Sequence, residues 1–181
     1  MANHGYVSTM KCACMDIDAL NACGVYSADD LDNGVAVKLT KMAQDSGKTA
    51  TGFEFEVEPA TASDTGIWIV NTPEVGSSLE MQMLSDPRKF YNVAGKPMSI
   101  KKMIAGVDYL EMTAEDFTNG LPDGEAEGEF ATIGEGGKWD KVGDAPSSGA
   151  YLEFVAKHSI AIGMETVPTV IMRYNEAHAK A

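Results

Sequence analysis

Four residues near the N-terminus, His4, Cys12, Cys14 and Cys23, are of the types that hold zinc. Structural zinc takes four Cys or His ligands in a tetrahedron, usually built on a Cys-x-x-Cys knuckle. Here the pair is Cys-x-Cys and the third thiol stands nine residues further on, which favours three reduced thiols acting as small apolar residues. Their odd number argues against a disulfide framework. Asp30-x-Asp32-x-Gly34 has the beginning of a calcium loop but neither its third acid nor its closing glutamate. Gly134-Glu135-Gly136-Gly137-Lys138-Trp139 has the glycines and lysine of a phosphate loop, but at the wrong spacing and with Trp139 where Ser or Thr would meet magnesium. It is read as a hairpin turn. Glu54, Glu56 and Glu58 alternate along one stretch; at ~7 Å between i and i+2 they cannot share a calcium unaided and are expected on a solvated strand face.

The histidines add little. His4 and His178 lie near the ends, and His158 sits in a strand pattern between Lys157 and Ser159, with no Gly-x-Ser-x-Gly to mark a nucleophile. The 27 acids offer many carboxylate pairs, none of them singled out for glycoside hydrolysis. No catalytic residue, metal or cofactor follows, and the chain is read as a non-enzyme. Trp68, between Ile67 and Ile69, is expected in the core. Trp139, in a polar hairpin, is expected to be exposed as a contact for a glycan or a protein.

The elements that must position these residues are short strands. Asn33-Gly34 supplies a turn, after which Val35, Val37 and Leu39 alternate with Ala36, Lys38 and Thr40, the period of a half-buried strand. Phe53, Phe55 and Val57 alternate with the glutamates up to Pro59, which has no amide to donate. Ile67–Val70 predicts a buried strand and Pro97–Met103 another. Thr113-Ala114-Glu115-Asp116 predicts a turn or two of helix capped by Thr113. Glu129–Ile133 and Lys138–Val142 predict a hairpin, with Tyr151–Ile162 and Val167–Tyr174 as closing strands. The fold class is therefore all-β with one or two short helices, as a small barrel or a sandwich.

Residues 1–30 show no clean period and are read as an extended N-terminal arm, or a ribbon that pairs late. Residues 31–175 form a single β-rich domain, and 176–181 a flexible tail. Residues 76–92 predict an ordered excursion whose Leu79, Met81, Met83 and Leu84 dock on a sheet or a neighbouring subunit. With Tyr6, Val7 and Met10 of the arm and Trp139, the first three of these are the candidate partner contacts.

A chain of 181 residues can bury roughly 70% of its unfolded surface without staples. Its net charge of −13 opposes phosphate backbones, so no nucleic-acid partner is expected. No run approaches the ~18 apolar residues of a membrane span, so no membrane partner is expected either. The first residues lack the charged and apolar regions of a signal peptide, which implies synthesis and retention in the cytoplasm.

Taken in order, several phrases carry a resemblance: Leu31-Asp32-Asn33-Gly34 through Thr40, the Glu58–Asp64 loop, Ile67-Trp68-Ile69-Val70-Asn71-Thr72-Pro73-Glu74-Val75, Phe90-Tyr91-Asn92-Val93-Ala94-Gly95-Lys96, and Met112–Phe117. Across residues 25–174 the chain resembles capsid-associated structural proteins of tailed bacteriophages. The resemblance implies a virion protein made in a bacterial host, displayed on the capsid surface as a homo-oligomer, and decorating or cementing it by binding the major capsid protein. It implies no catalytic residues. Two alternatives stay open: a head–tail connector or tail component, and a particle-displayed module that binds a glycan or host surface.

Overall fold

The computed structural model describes residues 3–43, 53–74, 86–125, 128–162 and 164–178. Among these, eleven strands and five short 3-10 turns make up the regular structure. Five strands close a barrel in the order β2 (Asn21–Val25), β4 (Phe55–Pro59), β3 (Ala36–Met42), β5 (Trp68–Val70) and β6 (Pro97–Lys102). The β2–β4 seam is parallel, with Gly24 opposite Phe55. The other six strands form an antiparallel sheet in the order β1 (Val7–Lys11), β7 (Tyr109–Met112), β11 (Glu165–Ala177), β10 (Gly149–Ile162), β8 (Phe130–Ile133) and β9 (Trp139–Val142).

Strand alternation builds two cores from one wall. On β3 and the residue before it, Val35 and Val37 point into the barrel, where they meet Leu31, Val57, Val70, Met98 and Ile100. Ala36 points the other way, and so do Ile67 and Ile69. These three join a larger core with Leu110, Met112, Ile133, Trp139, Leu152, Met172 and Tyr174 beneath the six-stranded sheet. The period of two that places Val70 inside the barrel therefore places Ile69 against the sheet. Each such aliphatic side chain contributes about 1.5–3 kcal/mol on burial, so the shared wall couples barrel and sheet into one unit.

All-β architecture is what the strand periods predict, and a barrel and a packed sheet are both present. The N-terminal reading needs correction. Residues 1–30 do not form a free arm in their described part: β1 edges the sheet beside β7, with Val7 opposite Met112, and β2 is a barrel wall paired with β4 and β6. Val7, Cys12 and Cys14 are buried in the larger core. Five-residue strands interrupted by two 3-10 turns (Ala13–Met15 and Asp18–Leu20) give no legible period. The tail also differs, because β11 continues to Ala177, opposite Gly149.

Residues 53–58 break the expected alternation as well. Val57 is buried as expected, but Glu54 is buried and Phe53 is 79% exposed, since the ladder with β3 begins only at Phe55. The β8–β9 hairpin forms as predicted, with Ile133 opposite Trp139. Its turn needs glycine at Gly137: φ is +78°, and a Cβ would stand 2.4 Å from the Ala36 carbonyl oxygen.

Candidate functional site

Four stretches far apart in sequence converge on a cavity of about 480 Å³. Its lining includes His4, Tyr26, the turn from Asp29 to Asp32, Val35, Pro59, and Glu135, Gly136 and Lys138 of the β8–β9 turn. His4 is held at the backbone by its N–H to the Arg88 carbonyl, 2.7 Å. The His4 ring packs on Tyr91 at 5.0 Å between centroids. Nδ1 of His4 meets Oδ1 of Asp32 at 2.7 Å, and Nζ of Lys138 donates to the other Asp32 oxygen at 2.9 Å and to the Glu115 carbonyl at 3.2 Å. The Asp32 carboxylate is thus shared by an imidazole and an ammonium on two different elements. The acid that suggested a calcium loop ties the N-terminus to the β8–β9 turn instead.

Behind this cluster lies a fully buried acid. Asp116 ends the 3-10 turn Ala114–Asp116 and accepts hydrogen bonds at Oδ2 from Thr113 N–H, 2.9 Å, and Thr113 Oγ1, 3.2 Å. Its Oδ1 has no hydrogen-bond partner among the described residues. Burial drives its carboxyl well above the usual carboxylate range; the Thr113 bonds oppose this and the nearby Asp32 charge reinforces it. Gly34, at φ +88°, leaves the space that Asp116 fills: a Cβ there would stand 2.1 Å from Oδ1.

A second convergence joins barrel and loops through amide side chains. Asn33 Nδ2 donates to the Thr72 carbonyl at 2.9 Å, and Asn33 Oδ1 accepts from Thr72 N–H at 3.0 Å and from Asn92 Nδ2 at 3.2 Å. Asn92 Nδ2 also donates to the Leu31 carbonyl at 3.0 Å, and the two backbones pair as an isolated bridge. Asn33 and Asn92 are both buried, where satisfied amides cross-link and unsatisfied ones are costly.

The candidate contacts fare unevenly. Met10 is 79% exposed on β1, while Tyr6 is half-buried with its backbone paired to Thr113. Val7 is buried against Met112 and is no surface contact. Trp139 is corrected outright: it is 0% exposed, and its Nε1 donates to the Gly34 carbonyl at 3.1 Å. Its neighbours on the strand are polar because they face outward, while the ring points into the larger core. Leu79, Met81, Met83 and Leu84 lie outside the described residues. His158 is a half-exposed strand residue, as expected, and its Nδ1 meets Glu111 Oε1 at 2.6 Å.

The sequence reading missed the His4–Asp32–Lys138 cluster and the burial of Asp116. The signal for Asp116 was present in Thr113-x-x-Asp116, the spacing of a capping box. Chemically, the cavity offers exposed carboxylates at Asp29, Asp30 and Glu135 over an apolar base of Tyr26, Leu31, Val35 and Pro59. Such a surface repels anions and suits hydroxyl donors or an ammonium beside an apolar group. No family model, curated protein or solved structure matches this chain.

Proposed function

We propose that this chain is a structural protein of a tailed-bacteriophage virion, seated on the capsid by contact with the major capsid protein. The observation that carries the reading is where the phrases behind the resemblance fall. Asn33-Gly34, Thr72, Asn92 and Thr113–Asp116 come from four separate stretches and meet at the junction of barrel and sheet, as hydrogen-bond partners or packing neighbours. Their side chains cross-link backbone and fill space, which is the work of a scaffold. A building block of this kind binds assembled shells and stabilises them by mass action, and many copies on a lattice add avidity to a weak single contact.

The test is titration of the purified chain onto undecorated capsids. Saturable binding with a rise in the temperature of shell disruption is expected. Absence of binding, or binding only at a portal or tail, would overturn the reading. A second reading, a particle-displayed module for a glycan, is favoured by the cavity beside Tyr26 and Asp29 rather than by Trp139. Glycan-array binding lost on Tyr26→Ala would support it.

A further inference from the structure

The longest strands outrun the sheet that contains them. β10 pairs with β8 only over Tyr151–Glu153, and β11 with β7 only over Val170–Arg173. Beyond these points, among the described residues, His158–Ile162 and Glu165–Thr169 pair only with each other, as a two-stranded ribbon with Lys157 at its base. The ribbon is tied at both ends: at the root Glu111 accepts from Thr169 Oγ1 at 2.7 Å while also meeting His158, and beside the tip Glu165 meets Arg88, which forks onto Asp86, at 2.8 Å. The ribbon is therefore pre-organised, which lowers the entropy cost of docking it.

Its surface differs from the rest of the molecule. The run 154–164 contains no acid and carries Lys157 and His158, in a chain of 27 acids and net charge −13, and the acid that follows it, Glu165, is held by Arg88. Val155 is 47% exposed and Met164, at the tip, is fully exposed. Lys157 on an open strand edge discourages simple strand addition, so contact falls to the tip and to side chains. The complementary surface is on the same molecule: the cavity with Asp29, Asp30 and Glu135 around Tyr26, Leu31, Val35 and Pro59. An unbranched methionine suits an irregular apolar hollow, and a lysine roughly 16 Å back along the ribbon suits the acids around it. The net charge of −13 on each copy otherwise opposes association.

We infer that two copies of this chain associate by placing the β10–β11 tip of one, at Met164, in the acidic cavity of the other, with Lys157 against its carboxylate rim. The contact joins two different patches, so it builds pairs or rings depending on the rotation it imposes. The tip buries less than the ~800 Å² per partner of a standard interface, so association is weak in solution and is strengthened where copies share a surface. It requires no capsid, and its test is separate from that of the virion reading.

The experiment is sedimentation of the isolated chain over a wide concentration range, paired with zero-length carbodiimide cross-linking of a mixture of ¹⁴N and ¹⁵N protein. Mass rising with concentration is expected, with mixed-isotope cross-links from Lys157 to Asp29, Asp30 or Glu135. Met164→Asp and Lys157→Glu should each weaken association at least tenfold, and Asp29→Lys with Asp30→Lys should recover the Lys157→Glu loss. Circular dichroism of each variant separates loss of contact from loss of fold. A chain that stays monomeric at every concentration, or association indifferent to both ribbon variants, would overturn the inference.

Discussion

Trp139→Ala distinguishes a core tryptophan from a contact tryptophan. The ring is fully buried between the six-stranded sheet and the barrel, and its Nε1 holds the Gly34 carbonyl. Truncating a buried Trp to Ala costs about 3–5 kcal/mol through lost transfer energy and the cavity left behind. The orphaned carbonyl adds about 1–3 kcal/mol where water cannot reach it. In a domain of this size about 1 kcal/mol shifts Tm by roughly 2–4 °C, so a fall on the order of 10 °C or more is expected. Trp139→Phe keeps most of the ring and loses the hydrogen bond, and should fall between the variant and the parent. Urea unfolding followed by far-UV circular dichroism is the assay, because it does not depend on the missing fluorophore. A lower midpoint with unchanged slope reports stability alone. If Trp139→Ala shifted stability by less than about 0.5 kcal/mol, the range of exposed surface sites, the placement of the ring and the hairpin register would both be wrong.

Other expectations follow from the same junction. Asp116 has its folded carboxyl raised by burial above its unfolded value near 3.9, so the folded state holds its proton more firmly. The stability this contributes is fully present below about pH 3.9 and is lost as pH rises through the folded value. Asp116→Asn should flatten that fall and leave the chain more stable than the parent at neutral pH; a variant whose pH–stability curve runs parallel to the parent's would count against the buried charge. Asn33→Ala and Asn92→Ala share a 3.2 Å bond and the Leu31–Asn92 bridge, so a double-mutant cycle should show coupling of about 0.5–3 kcal/mol. Additivity within about 0.3 kcal/mol would mean the two amides act separately. Cys12 and Cys14 are buried and the Cys12 thiol is pushed up, chiefly by its hydrogen bond with Cys14 and then by burial. Alkylation in native conditions should reach the half-buried Cys23 first, and labelling of Cys12 at the same rate would contradict the packing of β1.

Strand positions were legible where side chains alternate over a whole strand. Val35, Val37 and the Ile67–Val70 run lie where period two puts them, and so do the paired strands of the β8–β9 hairpin. Periodicity also overreached. It placed Glu54 outside and Phe53 inside, because pattern alone cannot show that the ladder begins two residues later. It passed over β1 and β2, whose five-residue lengths hold only about two alternations between turns. Polar neighbours misled the reading of Trp139 for the same reason: one inward residue among outward ones is what a strand edge requires, and composition averages it away.

The cavity was not legible because its parts are brought together by tertiary pairing rather than by local sequence. His4 reaches Asp32 because its backbone docks on Arg88, and Lys138 reaches Asp32 because Phe117 bridges Trp139 and sets the height of the β8–β9 turn. Neither bridge has a signal within a few residues of the side chains it positions. A motif such as Asp30-x-Asp32-x-Gly34 therefore points only to ligands it could hold alone, whereas the partners of Asp32 lie 28 and 106 residues away. The acids around that cluster and the acid-free run 154–164 are both written plainly in the sequence. The relation we infer between them becomes visible only once the fold shows that one is a hollow and the other a ribbon running beyond the sheet. That difference in shape is what would make the inferred contact between copies selective.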